Sequence, residues 1–149
     1  MKKILFEWRR FLLESFVKYD GILQIKPNAE VLGELEVLQI MLPEEAIRIN
    51  IGDLHLTLIH QSILKQFKSQ IKDMDFPQPP PIVLDDEVFV RTSPGKKSWA
   101  VRVVNQEDMR DYVEQVMGLL GSINTNPEPE RRFHISLANL TGNPHDSVK

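Results

Sequence analysis

The chain has 149 residues, 42% of them hydrophobic and 26% charged, which suffices for one domain with a substantial core but not for two independent ones. It contains no cysteine, so disulfides, thiolate metal sites and cysteine nucleophiles are excluded. Its net charge of -3 and pI near 5.8 lack the basic surplus of a protein that lives on long nucleic acid, and favour a small anionic partner.

No apolar run reaches bilayer length, so no membrane contact is expected. Met1 to Arg10 carries Glu7, Trp8 and two arginines inside its apolar pattern, which does not read as a signal peptide. A reducing cytoplasm is the expected setting.

Leu5, Trp8, Leu12 and Phe16 recur at helical spacing and predict an N-terminal helix closing near Tyr19-Asp20-Gly21. Ile22 to Ile25 reads as a short strand closed by Pro27. Asn28 is a natural cap for a helix over Ala29 to Met41, which Pro43 stops. Ile47, Ile49 and Ile51 then alternate with Arg48 and Asn50, Gly52-Asp53 supplies a turn, and Leu54 to Ile59 follows as a strand. Ser62 is placed to cap a helix through Ile63, Leu64, Phe67 and Ile71.

The run Phe76-Pro77-Gln78-Pro79-Pro80-Pro81 can be neither helix nor central strand. It is expected to be an extended crossover between two halves of a single domain. Ile82 to Arg91 and Ser98 to Val104 read as strands joined by the turn Ser93-Pro94-Gly95-Lys96. A helix starting near Asp108 carries Met109, Tyr112, Val113, Val116, Met117 and Leu120 on one stripe and ends at Gly121. After a loop over Asn124 to Glu130 comes a strand from Arg132 to Ala138. The polar tail from Asn139 is expected either to fold back over the site or to be disordered. Each half thus sets a helix ahead of a final strand, a pseudo-repeat in pattern that suits an α+β arrangement of antiparallel sheet with outer helices.

Those two final strands carry nearly the same words: His55-Leu56-Thr57-Leu58 and His134-Ile135-Ser136-Leu137. Side chains alternate faces along a strand, so each histidine shares a face with its hydroxyl residue while the apolar residues point the other way. Either copy alone is readable as a core histidine. Two copies in one chain point to a divided active site, each half giving one proton-transfer group and one hydroxyl. Histidine ionises near working pH and serves as base or acid, and Thr57 and Ser136 are suited to hold non-bridging phosphate oxygens. Such a pair needs no metal ion or cofactor.

On these motifs the chain resembles the 2H phosphoesterase superfamily, which includes the LigT-like RNA 2',3'-cyclic phosphodiesterases and is defined by two H-Φ-[ST]-Φ motifs. The likeness in element order spans roughly Ile22 to Leu140. It implies two pseudo-symmetric lobes of antiparallel sheet with outer helices around a central cleft. The opening Met1-Lys2-Lys3-Ile4-Leu5-Phe6-Glu7-Trp8-Arg9-Arg10-Phe11 and the ending Asn139-Leu140-Thr141-Gly142-Asn143-Pro144 are further similar to the compact phage-encoded anti-CBASS phosphodiesterases. That likeness implies a cyclic di- or trinucleotide substrate and evasion of a bacterial immune system. Chemically, one histidine would deprotonate a 2'-hydroxyl while the other protonates the leaving 5'-oxygen. A 2',3'-cyclic phosphate would form, and water would then open it. A LigT-like RNA-end enzyme and a non-catalytic nucleotide-sequestering module are the alternatives.

Tyr19 and Trp99 are the aromatic residues nominated to stack on bases, against a plain packing role for each. Trp8 is expected in the core. His60 has the opposite parity to His55 and is expected to face away from the cleft, and His145 to be a solvated tail residue. Lys96, Lys97 and the Arg131-Arg132 pair are placed to draw in phosphates or simply to solvate a surface. The histidine spacings match no standard zinc pattern.

Overall fold

The computed structural model describes residues 14–148, so the expected helix over Leu5 to Leu12, and Trp8 within it, lie outside the described residues. Where that helix was expected to continue, the chain is a strand. β1 (Phe16–Asp20) pairs with β2 (Ile22–Lys26) around Gly21, whose φ of 75° suits a residue without a Cβ. Phe16, the last residue of the expected helical pattern, begins this strand. What decides is the hairpin: Val17 and Tyr19 turn to the core while Phe16, Lys18 and Asp20 are exposed.

α1 (Ala29–Ile40) starts as expected, with the Asn28 side chain accepting from the Val31 amide at 2.9 Å. The next strand is interrupted. β3 (Ile47–Arg48) leaves the sheet at a 3-10 turn over Ile51–Asp53 and returns as β4 (Leu56–Ile59). Both pieces run antiparallel to the same neighbour, so they amount to one strand with a large bulge beside His55. The expected long helix from Ser62 is two short ones, α2 (Gln61–Leu64) and α3 (Lys68–Lys72), separated by a 3-10 turn. Its cap position is His60, where the strand ends, rather than Ser62.

The Pro-rich crossover has neither helix nor strand, and the Tyr112 hydroxyl donates to the Pro77 carbonyl at 2.8 Å, tying it down. β5 (Leu84–Ser93) and β6 (Lys96–Val103) form the expected hairpin, α4 (Gln106–Leu119) the expected amphipathic helix, and β7 (His134–Asn139) the second motif strand.

All pairings are antiparallel, in the order β1-β2-β4-β7-β6-β5, with β3 also on β7. The order reads the same from both edges. Each half is a hairpin, then a helix, then a motif strand, and the motif strands meet in the middle of one continuous sheet. Leu23, Ile25, Leu56, Leu58, Val101, Ile135 and Leu137 project from one face and are buried against Val31 and Leu35 of α1 and Met109, Val113 and Val116 of α4. Burying each such aliphatic side chain stabilises the fold by about 1.5–3 kcal/mol. The face away from α1 and α4 is left for the site.

The tail folds back instead of being disordered. Asn139, fully buried, donates to the Asn143 carbonyl and to the Ser147 hydroxyl, and accepts from the Thr141 and Gly142 amides. The Val148 amide donates to the Ser98 hydroxyl at 2.6 Å. Among the described residues no helix is long and apolar enough to cross a membrane.

Candidate active site

Leu56 and Ile135 are directly paired between β4 and β7. In that register His55 falls opposite Ser136 and Thr57 opposite His134, so the histidines are diagonal neighbours. Ladder geometry puts such a pair about 7–8 Å apart. All four side chains line one cleft of about 1520 Å³ on the face away from α1 and α4. The alternation is visible in exposure: all four are half-buried, whereas Leu56, Leu58, Ile135 and Leu137 are buried.

The two histidines are held alike. His55 Nδ1 donates to the Asp53 carbonyl at 2.8 Å, and His134 Nδ1 donates to the Arg132 carbonyl at 3.1 Å. Each ring is thus anchored two residues back along its own chain. Spending the Nδ1 proton on a carbonyl fixes the tautomer and leaves Nε2 as the nitrogen available for chemistry. Neither the Thr57 nor the Ser136 hydroxyl is spent on a partner among the described residues, so both are available to a ligand.

Electrostatically the halves differ. Burial pushes the His134 imidazole down, and the guanidiniums of Arg91, Arg131 and Arg102 push it further, to about 4. Its bond to the Arg132 carbonyl works against this. His55 is also lowered, first by burial and then by Lys26 and His145, with the Asp53 carbonyl bond and the Asp53 charge opposing. Arg91 Nη1 donates to His134 Nε2 at 2.9 Å. The Arg102 guanidinium lies over the Phe89 ring at 4.5 Å, and that ring meets His134 edge-on at 6.0 Å.

Arg131 joins the two halves. Its Nη2 donates to the Thr57 carbonyl at 2.8 Å and its Nη1 to Glu128 at 3.0 Å. It therefore braces the first motif strand from the loop that leads into the second.

Both nominated stacking residues are displaced from the site. Tyr19 packs against the core on the helix-bearing face, because in β1 it alternates with Lys18 and Asp20, which line the cleft. Trp99 is only 3% exposed, with the Lys97 ammonium 5.0 Å over its ring, and leaves no face for a base. A register shift between Trp99 and Ala100 adds to its removal. Among the described residues the aromatic in the cleft is Phe89, together with Arg91 and Arg102. Its period-two relation to Arg91 is visible in the sequence, but the face they share is settled only by pairing with β6.

His60 and His145 also line the cleft, contrary to the expectation for both. The parity argument for His60 fails because β4 ends at Ile59, and the folded tail brings His145 inward. Arg131 and Arg132 line the cleft, whereas Lys97 pairs with Glu45 at 3.0 Å. No group of three or more His, Asp or Glu side chains among the described residues is arranged to hold a metal ion. No protein-family model matches the chain, and no curated protein or solved structure matches it either.

Proposed function

We propose that this protein is a metal-independent phosphodiesterase with the 2H phosphoesterase fold, acting on the 3'-5' bonds of cyclic di- or trinucleotides. The observation that carries the reading is the shared cleft of two histidines in the same tautomer, each diagonal to the other and opposite the other's hydroxyl residue. A phosphoryl group between two Nε2 atoms can receive a base on one side and an acid on the other. Thr57 and Ser136 then donate to the non-bridging oxygens, where charge builds.

His134 is the base for the first step. Its charged neighbours are all arginines that favour the neutral ring, whereas at His55 the effect of Lys26 and His145 is opposed by the Asp53 carboxylate. His134 takes the proton of the 2'-hydroxyl, that oxygen attacks phosphorus, and His55 gives its proton to the leaving 5'-oxygen. The rings exchange roles as water opens the 2',3'-cyclic phosphate. In this reading the activity counteracts cyclic-oligonucleotide signalling in a host cytoplasm.

Cleft size supports a multi-phosphate substrate over a single RNA end. Small-molecule sites usually measure about 300–1,000 Å³, less than the volume here. Cations flank the histidines on both sides, Lys18 and Lys26 toward one edge and Arg91, Arg102 and Arg132 toward the other. The test is a panel of cyclic oligonucleotides and 2',3'-cyclic nucleotides incubated in EDTA. Turnover of cyclic di- or trinucleotides by the wild type and none by the His55→Ala/His134→Ala double variant is expected. Preferential turnover of 2',3'-cyclic ends transfers the reading to the LigT-like class, and tight binding without turnover to a sequestering module.

A further inference from the structure

We propose that Arg91 is an anion-operated latch on His134, capping its Nε2 until a phosphate oxygen draws the guanidinium away. The proposal rests on the phosphodiester reading of the cleft and adds a positioning residue to it. Its ground is the 2.9 Å bond from Arg91 Nη1 to His134 Nε2, combined with the 3.1 Å bond from Nδ1 to the Arg132 carbonyl. A guanidinium has no lone pair to offer, so that contact exists only with the neutral imidazole. The nitrogen that must handle the proton is therefore covered. His55 has no counterpart of this cap among the described residues.

Competition decides when the cap opens. The Arg91–His134 bond is charged on the donor side only, whereas a phosphate oxygen adds an opposite charge and with it a direct Coulomb attraction that the neutral ring does not supply. Arg91 lines the same cleft as Ser136, where a phosphate would sit. Its transfer also removes a positive charge from Nε2, which lets the ring accept and hold a proton once substrate is in place.

The test is a pH titration of the His134 side chain by 15N NMR, without ligand and with inorganic phosphate, in wild type, Arg91→Gln and Arg91→Lys. In ligand-free Arg91→Gln the His134 midpoint rises by about one pH unit or more. Arg91→Lys, which keeps the charge, lies between it and wild type. In wild type, phosphate raises the midpoint and shifts the Nε2 resonance. Coincident midpoints in wild type and Arg91→Gln, or a phosphate titration that leaves Nε2 unmoved, overturn the latch. The ligand-free arm requires no turnover. A chain inactive on every phosphodiester yet showing these shifts loses the enzymatic reading and keeps the latch.

Discussion

His55 and His134 occupy equivalent places in two halves, yet their surroundings give them different work. His134 is held neutral down to about pH 4, while His55 loses its proton below the ordinary 6.5. The competent free enzyme has His134 neutral and His55 protonated. kcat/KM should therefore rise as pH climbs through about 4, fall as it passes the His55 midpoint, and peak on the acid side of 6.5. Bound phosphate stabilises both imidazolium forms, so the kcat profile should sit at higher pH than that of kcat/KM. A kcat/KM maximum above pH 7 contradicts the assignment.

The same depression has a stability signature. A histidine that is harder to protonate when folded contributes stability above its unfolded midpoint of about 6.5 and loses it as pH falls toward 4. At most this is on the order of 3 kcal/mol. Thermal midpoints should fall more steeply from pH 6.5 to 4 in wild type than in His134→Gln. The hydroxyls make a separate prediction: Thr57→Ala and Ser136→Ala should each lose about 10²-fold in kcat, as expected for one oxyanion donor, with little change in thermal midpoint. An unchanged rate assigns the hydroxyl to structure alone.

At the scale of elements, the tail is the part that most repays attention. Gly142 has φ of 81°, and a Cβ there would stand 2.8 Å from the Ile47 Cγ2 and 3.3 Å from the Arg48 carbonyl. Gly142→Ala should cost about 1–2 kcal/mol from the left-handed backbone alone, and it should loosen the tail wall that holds His145. The expected kinetic result is a higher KM with kcat within a few-fold of wild type.

Elements with local determinants were legible in the sequence. Asn28 announces its helix, the Met109–Leu120 stripe announces α4, and the alternation through Thr57 and Ser136 announces the faces of both motif strands. What was not legible depends on pairing between distant segments. β1 is a strand because β2 is there to pair with it, although the helical spacing that ends at Phe16 suggests otherwise. Trp99 is covered despite its place near the start of a strand. Phe89, Arg91 and Arg102 join the site only because β5 and β6 lie beside β7, and the period-two spacing of Phe89 and Arg91 does not tell which face they share.

For the whole molecule, the order β1-β2-β4-β7-β6-β5 accounts for the site. Two hairpin-helix-strand units meet along their last strands, so whatever occupies the same position in each motif is brought to one place on one face. α1 and α4 cover the other face and help to supply the core. The halves are joined by the Leu56–Ile135 pairing, by β3 against β7, by the Gln39 side chain donating to the Leu137 carbonyl and by Arg131 reaching the Thr57 carbonyl. The Pro-rich crossover spans the distance between the units.

A phosphodiester needs both proton-transfer groups at one phosphorus, so neither histidine should suffice alone. The direct measurement is phosphorus NMR of a 3'-5' cyclic oligonucleotide incubated in EDTA with wild type, His55→Ala, His134→Ala and the double variant. A 2',3'-cyclic phosphate should form transiently with wild type, and each single loss should cost about 10²–10⁴-fold, with the double variant little worse than either single one. Full activity in either single variant, or equal cleavage of the 2'-deoxy substrate, contradicts two imidazoles converging on one phosphorus.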